Sequence, residues 1–566
     1  MIKKLYLPLL LTVVVALSSC SNKMGELSSD YFTTNPQVLE AVGGKVPVTI
    51  NGKFPEKFLN KKAIVEVTPV LKWKGGEAKG QTAVFQGEKV ENNYQTISYK
   101  MGGNYTMKAN FDYVPEMAKS ELYLEFKAKV GNKSVSIPAV KIADGVISTS
   151  ELLGNTLGSA TPATGQDAFQ RIIKEAHQAN IMFLIQQANL RSSELNSASI
   201  KELKKVIAEV NEAPNKKIDN IEVSAYASPD GGVSLNSKLA ESREGNTAKY
   251  MKNELKKSKI DAALDAKYTA QDWEGFQELV SKSNVQDKEL ILRVLSMYKD
   301  PEQREREIKN ISSVYKTLAD EILPQLRRSR LTLNYNIIGK SDAEISNLAA
   351  SNPKELNLEE LLYAATLTKD AAQQNAIYTK ATQQFPNDHR AYNNLGKLAY
   401  QAGDLVKAES LFKKAANINS AASEVNMNLG LIALAKGDKG TAESLLGKAS
   451  GAAELNESLG NLYVAQGQYD KAVNAFSNTN TNSAALAQIL SKDYNKAKTT
   501  LTNVATPDAY TDYLMAILGA RTNNTSMVIS SLKSAILKDN SLAKKAATDL
   551  EFIKYIANSD FLGLLK

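Results

Sequence analysis

Asn393-Asn394-Leu395-Gly396-Lys397 is answered 34 residues later by Asn428-Leu429-Gly430, and then by Leu459-Gly460-Asn461. Other positions move with the Leu-Gly pair. Ala408 recurs as Ala442 and Ala472, Phe412 as Leu446 and Phe476, and Ala415 as Ala449. One period earlier stand Tyr378, Ala381 and Pro386; weaker copies follow at Ala497 with Leu501 and at Asp512-Tyr513-Leu514-Met515-Ala516. A fixed period of this length marks a stacked array in which each repeat buries its apolar face against the next. The small positions let two helices approach, and the larger side chain fills the space between them. The pattern predicts about five to six helix pairs from residue 357 to 566, with terminal copies that depart from it as caps do.

The Leu-Gly pair, the alanines and the aromatic closer resemble the tetratricopeptide repeat. The resemblance implies an α-helical solenoid, assigned to residues 339–566, whose concave surface binds a peptide or partner domain. Asn393, Asn394, Lys397, Asn428 and Asn461, on the first helices of their pairs, are the candidate groove residues. Asparagine amides can pair with a partner's backbone without reading its side chains. The same residues read equally well as solvated surface.

Upstream, residues 167–338 alternate strand and helix. Ile181-Met182-Phe183-Leu184-Ile185 reads as a buried strand, and Ile200, Leu203, Val206, Ile207 and Val210 mark one face of a helix. A strand from Ile221 to Tyr226 ends in the turn Ala227-Ser228-Pro229-Asp230-Gly231-Gly232, followed by Asn236-x-x-Leu239-x-x-x-Arg243. This strand, polar turn and Asn-x-x-Leu-x-x-x-Arg spacing, over some 45 residues, resembles the OmpA C-terminal family, a peptidoglycan-binding α/β fold. The resemblance implies a clamp for the zwitterionic end of diaminopimelate: an Asp for the ammonium and an Arg for the carboxylate, which a guanidinium fork suits. Arg243 falls on the family arginine. Ser228 occupies the family aspartate position and brings no charge, while Asp230 lies two residues on. Ser228, Asp230, Asn236 and Arg243 are therefore the candidate peptidoglycan residues. Asn236 also reads as a turn or cap residue, and Arg243 equally as a structural residue. A helical stretch from Trp273 to Leu323 precedes a last alternating strand, Pro324 to Tyr335, resembling extended OmpA-like domains of Bacteroidetes outer-membrane and fimbria-associated proteins. Trp273 reads as a core anchor. Arg327, Arg328 and Arg330 read as solvated guards of an edge strand.

Residues 45–147 carry short alternating strands punctuated by turns. In Glu121–Val130, Leu122, Leu124, Phe126, Ala128 and Val130 share one face; Gly131-Asn132 then turns into Ser134-Val135-Ser136-Ile137. About seven strands in roughly 100 residues fit an all-β immunoglobulin-like sandwich. Residues 148–166, rich in Gly, Ser, Thr, Ala and Pro, read as a linker.

The chain opens with Lys3-Lys4, an apolar run from Leu5 to Leu17, and Leu17-Ser18-Ser19-Cys20. Charge, short apolar core and small residues describe a secretory signal, residues 1–19, too short for a spanning helix. The last four residues resemble the lipobox of bacterial lipoproteins, which implies diacylation of Cys20, the only cysteine in the chain. Two or more acyl chains anchor stably. Residues 20–44 read as a lipidated N-terminus and linker. With Ser21 after the cysteine and no acidic run, the expected location is the periplasmic face of the outer membrane.

Sixty-nine Lys and Arg against 61 Asp and Glu leave a formal charge of +8, spread without a basic stripe, so no nucleic-acid footprint is present. His177 and His389 have no ligand-spaced companions, and no metal or cofactor is expected. No catalytic arrangement is legible, and the chain is read as a non-enzyme. Two functions follow. In one, a multidomain lipoprotein scaffold links the outer membrane to peptidoglycan and, through its repeats, to an unidentified envelope protein. In the other, it is an adaptor or assembly factor for a secretion, fimbrial or uptake complex, without wall binding.

Overall fold

A computed structural model describes residues 24–310 and 312–566; the signal segment and Cys20 lie outside the described residues. The chain forms two compact units, and the second interrupts the first in sequence. The first contains residues up to Gln166 together with Asp370–Lys566, and the second is Asp167–Lys369. Residues 339–369 thus fall with the central unit, not with the repeats.

In the first unit, Phe32–Asn35, Lys45–Phe54 and Gly103–Asp112 make an antiparallel sheet. A second sheet has the order Lys133–Asp144, Glu121–Val130, Ala63–Trp73, Ala83–Gly87, Gln95–Ile97, with Gly76–Lys79 also paired to Ala63–Trp73. Period-two patterning places Val46, Val48, Ile50 and Phe54 of one sheet and Leu122, Leu124, Phe126 and Ala128 of the other in one shared core. Met24, Leu27 and Phe32 join that core, so the expected linker of residues 20–44 is, from Met24, part of the β-rich region. Its apolar residues are too sparse to show a period, yet they are buried in that core.

Helix pairs follow in regular succession: His389–Gln401 with Leu405–Ile418, Ser423–Ala435 with Lys439–Gly447, and Leu455–Ala465 with Tyr469–Phe476. Asn482–Leu490 with Tyr494–Thr502 and Ala509–Arg521 with Thr525–Lys538 continue the series, and Ala371–Gln384 precedes it. The Leu-Gly signature has a steric cause. A Cβ on Gly396 would meet the Phe412 ring at 2.5 Å, and one on Gly460 would meet Phe476 at 2.8 Å. At Gly430 the neighbour is Leu446, also at 2.8 Å. Each second helix starts after a left-handed residue, such as Gly403 or Gly437, and Asp404, Asp438, Asp493 and Asn524 cap it by accepting a backbone N–H.

The β-rich region and the repeats of this unit are bound together. Arg521 donates to Glu551 at 2.6 Å and to Glu40 at 3.2 Å, with Thr149 on the same Glu551 carboxylate. These carboxylates hold the Arg521 guanidinium above its already high value.

The second unit is a four-stranded sheet in the order Ile172–Met182, Arg328–Ile338, Lys216–Tyr226, Ala263–Thr269; only the last pairing is parallel. Helices Ala198–Glu212 and Val233–Lys257 cover it through Ile200, Leu203, Ile207, Val210, Met251 and Leu255. The helical stretch after Ala263–Thr269 has its own core around Trp273, Phe276, Ile291, Leu295 and Leu326. Two expectations are corrected. The first strand ends at Met182, leaving Leu184 46% and Ile185 57% exposed. The strand beginning at Arg328 lies inside the sheet, so its arginines guard no edge. Arg328 is instead buried against Asp272 at 2.8 Å and over the Tyr226 ring.

Candidate functional site

The candidate groove residues lie on the inner face of the array, and what they hold is the chain's own segment before Asp167. Asn428 donates to Ala163 O at 2.9 Å and accepts from Ala163 N at 2.7 Å. Asn394 treats Gly165 identically, donating to its O at 2.9 Å and accepting from its N at 2.7 Å. Asn393 adds a second donor to Ala163 O at 3.0 Å, and Lys397 reaches Thr164 Oγ1 at 2.6 Å. Asn394 and Asn428 occupy equivalent positions, each directly before a Leu-Gly pair. Successive repeats therefore grip every second residue of the segment, Ala163 and then Gly165.

The third repeat continues the register imperfectly. Thr161 N donates to Glu457 Oε2 at 3.4 Å. Ser458, which stands where Asn394 and Asn428 stand in their repeats, has a buried Oγ without a hydrogen-bond partner among the described residues; so do Glu457 Oε1 and Asn461 Oδ1. Asn461 donates only to its own helix, at Glu457 O. Of the five candidate groove residues it alone makes no hydrogen bond to the segment among the described residues. Burial pushes the Glu457 carboxyl up, and burial likewise lowers Lys397.

Nearer Thr149 the segment is held differently. Leu152, Leu153 and Leu157 enter the apolar core of the repeats, and Tyr400 OH donates to Leu157 O at 2.8 Å. Ser150 Oγ donates to Ala41 O, and Ser483 Oγ meets Thr156 Oγ1 at 2.9 Å. Burying a leucine stabilises by about 1.5–3 kcal/mol. Residues 160–166 have only alanines and Pro162 to bury. There each ordered residue costs about 1–2 kcal/mol of backbone entropy. Each hydrogen bond returns about 0.5–1.5 kcal/mol. A buried polar atom left unpaired costs about 1–3 kcal/mol. The leucine half is anchored by apolar burial, whereas the Ala-Thr-Gly half is held mainly by hydrogen bonds, including one from Arg390 Nη1 to Gln166 O at 3.1 Å.

The linker expectation for residues 148–166 is therefore corrected, as is that of an open groove. Small residues suggest flexibility by composition, but they are also what a backbone lying close to helices requires. A Cβ on Gly165 would stand 2.8 Å from Arg390 Cβ. Sequence reading missed Thr161, Ala163, Gly165, Glu457 and Tyr400. The visible signal was the asparagine repeated at one position of successive repeats.

In the second unit, Ser228, Asp230 and Asn236 meet in one turn, with Arg243 on the helix that follows. Asn236 Nδ2 donates to Ser228 O and Gly231 O, both at 2.9 Å, tying the turn to the helix start. Ser228 Oγ donates to the Asp230 carboxylate, which also takes Arg327 at 3.0 Å. Arg243 is 0% exposed. Its Nε donates to Gln187 O at 2.9 Å, Nη1 to Tyr226 O at 2.8 Å and Nη2 to Leu184 O at 3.2 Å. The Phe183 ring lies 4.9 Å from the guanidinium carbon. Burial, with the Arg327 charge adding to it, brings the Arg243 guanidinium down to about 10. In this arrangement Arg243 fastens the Leu184–Gln187 turn and the end of the Lys216–Tyr226 strand to its own helix, and Asp230 already has a cation.

His389 meets Glu424 at 2.9 Å, a contact that sequence spacing did not indicate. Among the described residues no group of His, Cys, Asp and Glu could hold a metal ion, and no helix is long and apolar enough to cross a membrane.

A tetratricopeptide-repeat family model matches residues 370–423. No curated protein matches the chain. Solved structures that align with it include a tetratricopeptide repeat protein from Parabacteroides merdae, at 16% identity over 37% of this chain and 91% of that one, TM-score 0.29. PilF of Pseudomonas aeruginosa aligns at 16% identity over 38% and 98%, TM-score 0.26. PilW, a type IV pilus biogenesis factor, aligns at 14% identity over 40% and 98%, TM-score 0.27. The C-terminal region thus carries tetratricopeptide repeats, on the strength of the matched residues and the helix pairs themselves.

Proposed function

We propose that the chain is a non-enzymatic adaptor that brings proteins together at a bacterial envelope through its tetratricopeptide repeats. The observation that carries the reading is the repeat array itself, whose inner face pairs with peptide backbone. On this reading Cys20 bears the lipid anchor, and the chain sits on the periplasmic face of the outer membrane. The β-rich region acts as an immunoglobulin-like spacer and the central unit as an OmpA-like docking fold.

Between the two functions weighed from the sequence, the geometry around Arg243 favours the adaptor without wall binding. A guanidinium spent on three carbonyls, beside an aspartate already paired, makes a weak clamp for a free zwitterion. Cross-linking of the full-length chain in intact cells, followed by identification of the bound proteins, tests the reading. The expected result is a defined envelope protein attached through residues of 370–566. Quantitative recovery with purified sacculi, lost in Arg243→Lys at unchanged stability, would favour the scaffold that binds the wall.

A further inference from the structure

We propose that residues 160–166 form a removable strap that occupies the inner face of the repeats in place of an extended partner peptide. The proposal rests on the adaptor reading and names the ligand that reading leaves open: a peptide carrying glycine or alanine at alternate positions, recognised through its backbone. Three observations lead to it. First, the strap is held by groups that ignore sequence. Asn394 and Asn428 each take both the N–H and the C=O of one residue, so any backbone in that register would serve. Size is the filter, because Gly165 lies against Arg390 with no room for a Cβ and Ala163 is buried.

Second, the two halves of the segment are held unequally. Leu152, Leu153 and Leu157 lock the first half into the core of the repeats, so the strap stays tethered when its second half lifts. Third, the closed state leaves Glu457 Oε1 buried and unpaired among the described residues, on the same carboxylate whose Oε2 accepts from Thr161 N of the strap. Lifting the strap opens the Glu457 carboxylate to water, which offsets part of the cost of the bonds it breaks. A ligand with donors at that point would bind better than the strap does. The inner face is thus closed in cis, and a partner opens it by exchange.

The test uses the full-length chain and a labelled synthetic peptide of residues 159–167. Gly165→Val lifts the strap by a clash with Arg390, and Ala163→Glu does so by charge; both leave the repeats unaltered. The expected result is at least tenfold tighter peptide binding by each variant than by wild type, abolished when Asn394→Ala and Asn428→Ala are added. Amide exchange at positions 163 and 165 confirms release. Equal binding by wild type and variants overturns the proposal, as does no binding by a variant whose strap amides exchange freely, or retained protection in both variants. If the peptide result is negative while cross-linking still recovers a defined partner, the strap falls and the adaptor reading stands.

Discussion

Asn428 holds Ala163 by both backbone polar atoms, across 265 residues of sequence. Through this pairing and its copy at Asn394, a stretch with the composition of a linker is fixed along the helical repeats. Removing Asn428 by substitution with Ala leaves the Ala163 N–H without its acceptor. A loss of about 1–3 kcal/mol in global stability is the upper expectation. If the strap opens locally instead, the loss appears as faster exchange of residues 160–166 with little change in unfolding midpoint. Urea unfolding and amide exchange together measure the two.

The steric basis of the repeat is tested at Gly396. Gly396→Ala forces a methyl towards the Phe412 ring, and overpacking of this kind costs about 1–3 kcal/mol. Adding Phe412→Leu should recover part of the loss in a double-mutant cycle. Additive losses would show that the two residues do not share the space between the helices.

Arg521 joins the β-rich region to the last repeats through Glu40 and Glu551. Arg521→Ala leaves a nearly buried Glu551 carboxylate beside Thr149 alone. Breaking a buried pair in this way costs about 3–5 kcal/mol. The chemical-denaturation midpoint of the full chain should fall accordingly. An unchanged midpoint would mean that the arginine bears no weight.

Glu457 gives a pH dependence with a definite sign. Its folded-state value lies above the ordinary glutamate value of 4.5, so between the two the folded state binds more protons than the unfolded state. Stability from this group therefore falls as pH rises through that window, and the cost persists at neutral pH. Glu457→Gln is expected to raise the melting temperature at pH 7 and to match wild type below pH of about 4. A variant less stable than wild type at pH 7 would contradict the burial account.

Legibility from sequence followed the range of the interactions. The Leu-Gly period could be read because each glycine answers a side chain 16 residues away in the same repeat, as Gly396 answers Phe412. The alternation in Glu121–Val130 is equally local, since period two is a property of one strand. Arg243 was visible as a position and not as an environment, because its three acceptors come from Leu184, Gln187 and Tyr226. The stretch Ile181–Ile185 misled because an apolar run does not say where a strand stops. Residues 160–166 misled for a deeper reason: alanine, threonine, proline and glycine have the same composition whether they are solvated or gripped, and only asparagines more than 200 residues away distinguish the two.

The occupied inner face is tested most directly by amide hydrogen exchange on the full-length chain, read at Ala163 and Gly165. Their N–H groups should exchange far more slowly than in the free 159–167 peptide, and Asn428→Ala with Asn394→Ala should remove that protection while the helices of the repeats stay protected. Exchange of wild-type Ala163 and Gly165 at the free-peptide rate would contradict the account, because the segment would then be a linker after all.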